Sequence, residues 1–339
     1  MTKTLGVYTA VLHDRPLADA LDVISGLGLN AAEINAGGFL PPVHIPDIAD
    51  IVASETAAQE YLGIFAEKGI ALAGLNVNGN PLHPNPVIGD KHAGDLRRAI
   101  KAAAALGQKR VVTMSGLPGG EPGATRPNWN VNAWNSGALD VLDYQWDEIV
   151  VPFWKEIAAL AEDHDVKVAI EMHPQNVVFS PPTMLQLIEK VGTDFVGAEM
   201  DPSHLFWQWM DPVAAVDYLG DRVFHAAAKD VRINENAKIY GVLDNRFRRL
   251  DPSEDRVNLG GDEWVNEWPK DSAWDFVALG RGHDTAFWGE FLAALYRADE
   301  NMAVNIEHED VSLGRIEGLR VAAEVLLEAE RLATAPVTA

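Results

Sequence analysis

Residues 167–204 read KVAIEMHPQNVVFSPPTMLQLIEKVGTDFVGAEMDPSH. Lys167–Met172 is a short run of β-branched and apolar residues, the pattern of a strand covered on both faces. Pro182–Val191 has the amphipathic spacing of a helix, and Gly192 stands just past its end as a stop. Phe195–Met200 is a second strand, running straight into Asp201-Pro202-Ser203-His204. Two strands joined through a helix by short turns lie parallel in one sheet.

The same alternation extends outward in both directions. Further strands are expected at Thr4–Thr9, Ala32–Asn35, Ile70–Val77, Arg110–Met114, Val223–Ala228 and Met302–Glu307, eight in all. Helices are expected at Pro16–Leu27, Glu55–Lys68, Asp90–Leu106, Gln145–Asp163, Asp211–Leu219, Thr285–Tyr296 and Ser312–Arg331, with Ser54 as an N-cap. Eight such units favour closure into a (β/α)8 TIM barrel over an open sheet. The fold class is therefore α/β, one barrel domain over residues 1–332, with long loops after strands 4 and 7. These are Gly116–Leu142, rich in Gly, Pro, Asn and Trp, and Asp230–Leu279, an excursion too long for a simple connector. The tail Ala333–Ala339 reads as frayed.

Composition narrows the partners. A chain of 339 residues suits one large barrel. It has no cysteine, which excludes disulfides, thiolate catalysis and sulfur-ligated zinc. Any metal must be held by carboxylate, imidazole, backbone oxygen or water. Fifty acidic against 27 basic residues give a net charge of -23, which opposes nucleic acid and anionic membranes. No signal-like apolar stretch precedes Leu5, and no run approaches the roughly 18 apolar residues of a membrane helix. The expectation is a soluble cytoplasmic protein with no nucleic-acid or membrane partner.

In a barrel of this kind the active site lies at the C-terminal ends of the strands. Polar residues collect there: Glu33 and Asn35, Asn76 and Asn78, Glu171 and His173, Glu199, Asp201 and His204, His225 with Lys229 and Asp230, and Glu307 with Glu309. Glu171, Asp201 and Glu307 come from three strands, and carboxylates that converge repel one another unless a cation intervenes. Carboxylates with an imidazole suit Mn²⁺, Mg²⁺, Fe²⁺, Co²⁺ or Zn²⁺. Glu309 has the side-chain parity to share the role of Glu307. Trp129, Trp134 and Trp207 are candidates for an apolar wall against the C–H face of a sugar. Glu33, Asn76 and His173 are candidates for substrate hydroxyls.

Taken together, Ala169-Ile170-Glu171, Met200-Asp201-Pro202-Ser203-His204, Ala228-Lys229-Asp230, Gly280-Arg281-Gly282-His283-Asp284 and Asn305-Ile306-Glu307-His308-Glu309 resemble the sugar phosphate isomerase/epimerase superfamily. These are the xylose-isomerase-like TIM barrels, whose relatives include ketose 3-epimerases, inosose dehydratases and C-glycoside deglycosidase alpha subunits. The likeness runs from Leu5 to about Leu327. It implies a divalent metal, Mn²⁺ foremost, on Glu171, Asp201 and Glu307. The fourth ligand of that pattern is a histidine two residues before the lysine. Here that position is Ala227, and His225 lies about 6.6 Å deeper along the strand. His225 is carried as the fourth ligand, with His204 or water filling the position, or loss of the metal, as the alternatives. The implied chemistry is proton abstraction beside a sugar carbonyl through an enediolate, with Glu171, Glu307, His204 and Lys229 as catalytic residues. The same residues would serve a lyase acting by β-elimination, which in a deglycosidase brings a small beta subunit. Ala227 keeps open a third class, a non-catalytic binding barrel. A homo-oligomer fits any of the three.

Overall fold

The computed structural model describes residues 3–335. Its first seven strands are β1 (Thr4–Tyr8), β2 (Ala31–Asn35), β3 (Ala71–Asn76), β4 (Arg110–Met114), β5 (Lys167–Glu171), β6 (Val196–Met200) and β7 (Val223–Ala228). Four short strands then belong to the excursion: β8 (Asp230–Ile233), β9 (Asn258–Gly260), β10 (Glu263–Trp264) and β11 (Trp274–Val277). The last strand is β12 (Ala303–Ile306). The long strands follow one another in a closed ring, β1-β12-β7-β6-β5-β4-β3-β2, which makes the fold a (β/α)8 barrel. All eight expected strands are present, each within one residue of its expected ends. No described helix is long and apolar enough to cross a membrane. Of the tail expected to fray, the final helix runs on to Thr334, and residues 336–339 lie outside the described residues.

The chain divides into two compact units, Met1–Glu33 with Phe65–Ala71 and Met200–Ala339, and Ile34–Ile64 with Leu72–Glu199. In the first, β1 pairs in parallel with both β2 and β12, and β12 with β7. The β7–β12 register sets Ala227 opposite Asn305 and Ala228 opposite Ile306. Gly6 sits beside Asn305, and a Cβ there would come within 2.3 Å of the Asn305 amide oxygen. That glycine therefore gives a polar side chain room inside the barrel wall. Beyond β7, β8 and β11 form an antiparallel hairpin that pairs Val231 with Phe276. The excursion is thus structured, not an irregular loop.

In the second unit β3, β4, β5 and β6 pair in parallel. Three helices depart from expectation; the one expected from Asp90 starts earlier, at Pro86, where Asn85 accepts from Val87 N at 3.1 Å. Ile48–Ala53 is a short helix capped by Asp47, whose side chain accepts from Ala49 N at 2.9 Å. Six residues carry too little periodicity to stand out. The helix expected from Gln145 starts earlier, at Ser136, where Asn135 accepts from Ala138 N at 3.0 Å. It passes through a π-helical turn, Tyr144–Val150, before Val151–Asp163. The first long loop therefore ends at Asn135 rather than Leu142. Gln145, buried in the π turn, donates through Nε2 to the carbonyls of Pro118, Gly119 and Asn128 and so pins that loop. Ser54 caps Glu55–Lys68 as expected, with Ala57 N at 3.2 Å from its hydroxyl.

His92 shows how tightly this unit is closed. Its Nδ1 accepts from Asn80 N at 3.0 Å, and Phe39 meets the ring edge-on at 5.1 Å. Close by, Gly38 has φ +79, and a Cβ would fall 2.1 Å from the Asn78 carbonyl oxygen, so the chain passes here only as glycine. Burial, with the Lys91 cation adding to it, pushes the imidazole of His92 down to about 4. The unfolded chain then binds more protons than the folded one between about pH 6.5 and 4. Stability is complete above that window and is lost as the pH falls through it. Urea midpoints measured from pH 7 to pH 4.5 should fall, and His92→Gln should flatten part of that slope. An unchanged slope in the variant would show that His92 does not carry it.

Candidate active site

The first unit gathers buried charge at the C-terminal ends of β6, β7 and β12. Lys229, only 4% exposed, follows directly on β7. Its Nζ donates to Glu307 at 3.0 Å and to Glu309 at 2.8 Å, and lies 3.9 Å from Asp201 Oδ2. Asp201 also caps the short helix Pro202–Phe206, accepting from Ser203 N at 2.8 Å. That turn brings His204 Nε2 to 3.3 Å from Asp201 Oδ2. Burial pushes the His204 imidazole down to about 4, against the pull of Asp201, so the ring is neutral at pH 7. Asp201, His204, Lys229 and Glu307 thus meet in one place.

Deeper in the same unit, His225 Nε2 lies 2.7 Å from Glu33 Oε2, and the Asn305 amide donates to the same carboxylate oxygen at 3.0 Å. All three side chains are buried. His225, expected as the fourth metal ligand, has its Nε2 engaged by Glu33. The strand pleat explains it, since two residues of depth separate His225 from position 227. Glu33, expected to meet substrate, is engaged by the same pair.

In the second unit Glu171 ends β5 and is buried, its carboxylate accepting from the Asn78 side-chain amide. Asn76, at the end of β3, accepts from Asn78 N at 2.9 Å and thereby fixes that amide's backbone. His173 is half-buried, its Nδ1 2.6 Å from the carbonyl oxygen of Pro174. Trp129 donates from Nε1 to the Asn176 carbonyl at 3.0 Å and meets Phe179 edge-on. Both rings line a cavity of about 360 Å³ between the first long loop and the helix Pro181–Val191. Trp134 stands 84% exposed.

Two further carboxylates anchor a loop, a role the sequence does not assign them. Asp230, fully buried, accepts from the backbone N–H groups of Val231, Gly280, Gly282 and His283 and from His283 Nδ1. Asp310 does similar work from the other side, accepting from Ala278 N and from the Arg281 guanidinium. Gly282 is required here because a Cβ would come within 2.2 Å of the Val231 carbonyl oxygen. The Gly280-Arg281-Gly282-His283 turn is therefore a carboxylate-anchored loop. Trp207, expected at a substrate wall, stacks on Trp274 at 4.9 Å with the planes 4° apart. The signal in the sequence was the tryptophan content of the excursion, but its partner could not be read from it.

Residues 21–329 match the family model described as xylose isomerase-like TIM barrel. The chain is 31% identical over 326 residues to YfiH of Bacillus subtilis (strain 168), described as an uncharacterized protein, covering 95% of this chain and 97% of that one. Among solved structures it is similar to an L-ribulose 3-epimerase at 13% identity, with all of both chains covered and a TM-score of 0.58. It is also similar to the probable 3-DHS dehydratase AsbF involved in petrobactin synthesis from Bacillus anthracis, at 14% identity, 96% and 99% coverage and a TM-score of 0.58. D-psicose 3-epimerase from Clostridium cellulolyticum H10 matches at 14% identity, 98% and 100% coverage and a TM-score of 0.53. At these identities the structural likeness is one of fold.

The Asp230 anchor makes a direct prediction. Asp230→Ala strands several buried N–H donors at once, and each unsatisfied donor costs about 1–3 kcal/mol. The urea midpoint should fall by an amount equivalent to about 3 kcal/mol or more. A midpoint equal to that of the parent chain would mean that the 280–283 turn is held by something else.

Proposed function

The chain belongs to the xylose isomerase-like TIM barrel family, and from that premise we propose that it is a divalent-metal-dependent isomerase or epimerase of a sugar or keto-sugar. Family membership and a donor set of Glu171, His173 and His204 support metal-dependent catalysis in general. The particular reaction is our reading. The observation that carries it is the cluster of buried Asp201, His204 and Lys229 with half-buried Glu307 at the strand ends. Charge is costly to bury and is concentrated here at the face where this fold places its chemistry.

The donors fit a divalent cation. A neutral, buried imidazole is in ligand form at pH 7, and a carboxylate beside it supplies negative charge. In this reading Glu171, His173 and His204 hold the ion. A mixed nitrogen and oxygen donor set suits Mn²⁺, Co²⁺ or Zn²⁺ better than Mg²⁺. When bound, such an ion polarises a substrate carbonyl and lowers the barrier to ionising the neighbouring C–H.

The chain's own residues do the rest. Glu171, oriented by Asn78, takes the proton from the carbon beside the carbonyl. Glu307 relays a proton from the Lys229 ammonium, which donates to it at 3.0 Å, to the other face or to the adjacent carbon, in the latter case with the neighbouring hydroxyl proton passing to the former carbonyl oxygen. Return to the other face is epimerisation, and return to the adjacent carbon is aldose–ketose exchange. Lys229 offsets the negative charge that develops on the substrate oxygens. Asn76 fixes the backbone of Asn78, while His225 and Asn305 hold Glu33.

Protein loaded with Mn²⁺ and incubated in D2O with a panel of keto-sugars should incorporate deuterium beside the carbonyl, read by NMR or mass spectrometry. EDTA should abolish the exchange and added Mn²⁺ restore it. Glu171→Gln should slow it by a factor of about 100 or more. No exchange with any keto-sugar by metal-loaded protein would sink this reading. Release of water or an aglycone without exchange would replace it with a lyase.

A further inference from the structure

The excursion between β7 and the last barrel strand plays no part in the chemistry so far, yet it is built directly onto the charged cluster. Its first residue, Asp230, follows Lys229 without a break. Its return strand, β11, sets Phe276 opposite Val231 and Trp274 opposite Ile233. Arg232 and Asp275 pair across the hairpin at 3.0 Å, and Asn234 donates to the Ser272 carbonyl and the Asp275 carboxylate. Trp274 is fixed on both sides: it stacks on Trp207, and its Nε1 donates to the Val242 carbonyl at 3.1 Å. The position of Phe276 is therefore well determined.

That position is over the site. The Phe276 ring centroid lies 4.5 Å from Lys229 Nζ, and the same ring meets His204 edge-on at 5.7 Å. Glu307, Glu309 and Asp201 already surround the ammonium at 3.9 Å or less. The ring at 4.5 Å adds an aromatic neighbour to the ammonium beside those carboxylates. An aromatic face attracts a cation through its quadrupole, and the attraction grows as water is excluded. An aliphatic side chain of equal volume would exclude water without attracting the charge.

We propose that Phe276 is a positioning residue for Lys229, and that the return strand of the excursion is thereby part of the active site. The role of Lys229 toward substrate rests on the function proposed above. The contact between ring and ammonium does not.

The test uses the full chain and reads Lys229 itself. Acetylation by limiting acetic anhydride is followed residue by residue by mass spectrometry, with the exposed Lys101 as internal reference. Phe276→Leu should raise the rate at Lys229 about tenfold relative to Lys101, and Phe276→Ala by at least as much. Phe276→Tyr, which keeps the π face, should leave it at the parental rate. The Leu and Tyr variants decide the matter if the Ala variant does not fold. Equal rates at Lys229 in the Leu, Tyr and parental chains would overturn the proposal, as would a rise shared by all lysines. The deuterium-exchange assay separates the two readings. Loss of exchange chemistry in the parental chain with the Lys229 pattern intact removes the sugar reading alone, whereas intact exchange with no Lys229 response removes this one.

Discussion

A lysine ammonium buried among three carboxylates sets the terms for the strand ends of the first unit. Taking such charges out of water costs several kcal/mol per ion, and only close partners with good geometry repay it. Lys229 has them in Glu307, Glu309 and Asp201. The arrangement is self-enforcing. Removing the ammonium would leave buried Asp201 and half-buried Glu307 facing each other as like charges, so the side chains cannot drift apart without a penalty. Fixed geometry of this kind is what a catalytic cluster needs, since reacting groups must be held before substrate arrives.

The neighbouring residue extends the same logic to the backbone. Successive residues of an extended strand point to opposite sides. Lys229 turns to the charged cluster, and Asp230 turns to the loop at 280–283, where it takes up four backbone N–H groups. One dipeptide therefore lines the site and ties down the segment that leads into the helix Thr285–Ala298. The hairpin of the excursion springs from the same two residues. Its aromatic pile, Trp207 on Trp274 with Trp268 edge-on at 4.9 Å, makes a compact wall without enlarging the barrel core. The excursion and the cluster are thus parts of one construction.

The barrel was legible because its signals are local. Each long strand is a short apolar run bounded by turn residues, and each helix has its own cap or stop within reach in sequence. Ser54 and Gly192 did as their types dictate, the glycine taking φ +75 at the end of Pro181–Val191. What stayed hidden depended on distant partners or on very short elements. The strands of the excursion are two to four residues long, too short for a period to emerge. Parity and strand-end position were enough to pick out Asp201, His204, Lys229 and Glu307, which do meet. They could not show that His225 would be claimed by Glu33, a residue 192 positions away. Nor could they show that Phe276 would lie over Lys229, because nothing in a four-residue strand announces which ring it delivers.

Ala227 is the point at which the chain leaves the pattern it otherwise resembles, and the surrounding residues make that departure intelligible. A methyl group cannot ligate, and the nearest imidazole below it, His225, already holds Glu33. Lys229 meanwhile supplies positive charge to Asp201, Glu307 and Glu309, so those carboxylates do not depend on a metal ion alone for neutralisation. Two imidazoles at strand ends, His173 and His204, lie with Glu171 in one donor set. In the proposed reading the metal's nitrogen donors have moved to them, and the donor set has become richer in nitrogen as a result. A site rearranged in this way should rank cations by their affinity for imidazole, favouring Co²⁺ and Zn²⁺ over Mn²⁺ in binding strength, whatever ion then serves catalysis best. The loss of one histidine from a strand is therefore not by itself the loss of the site.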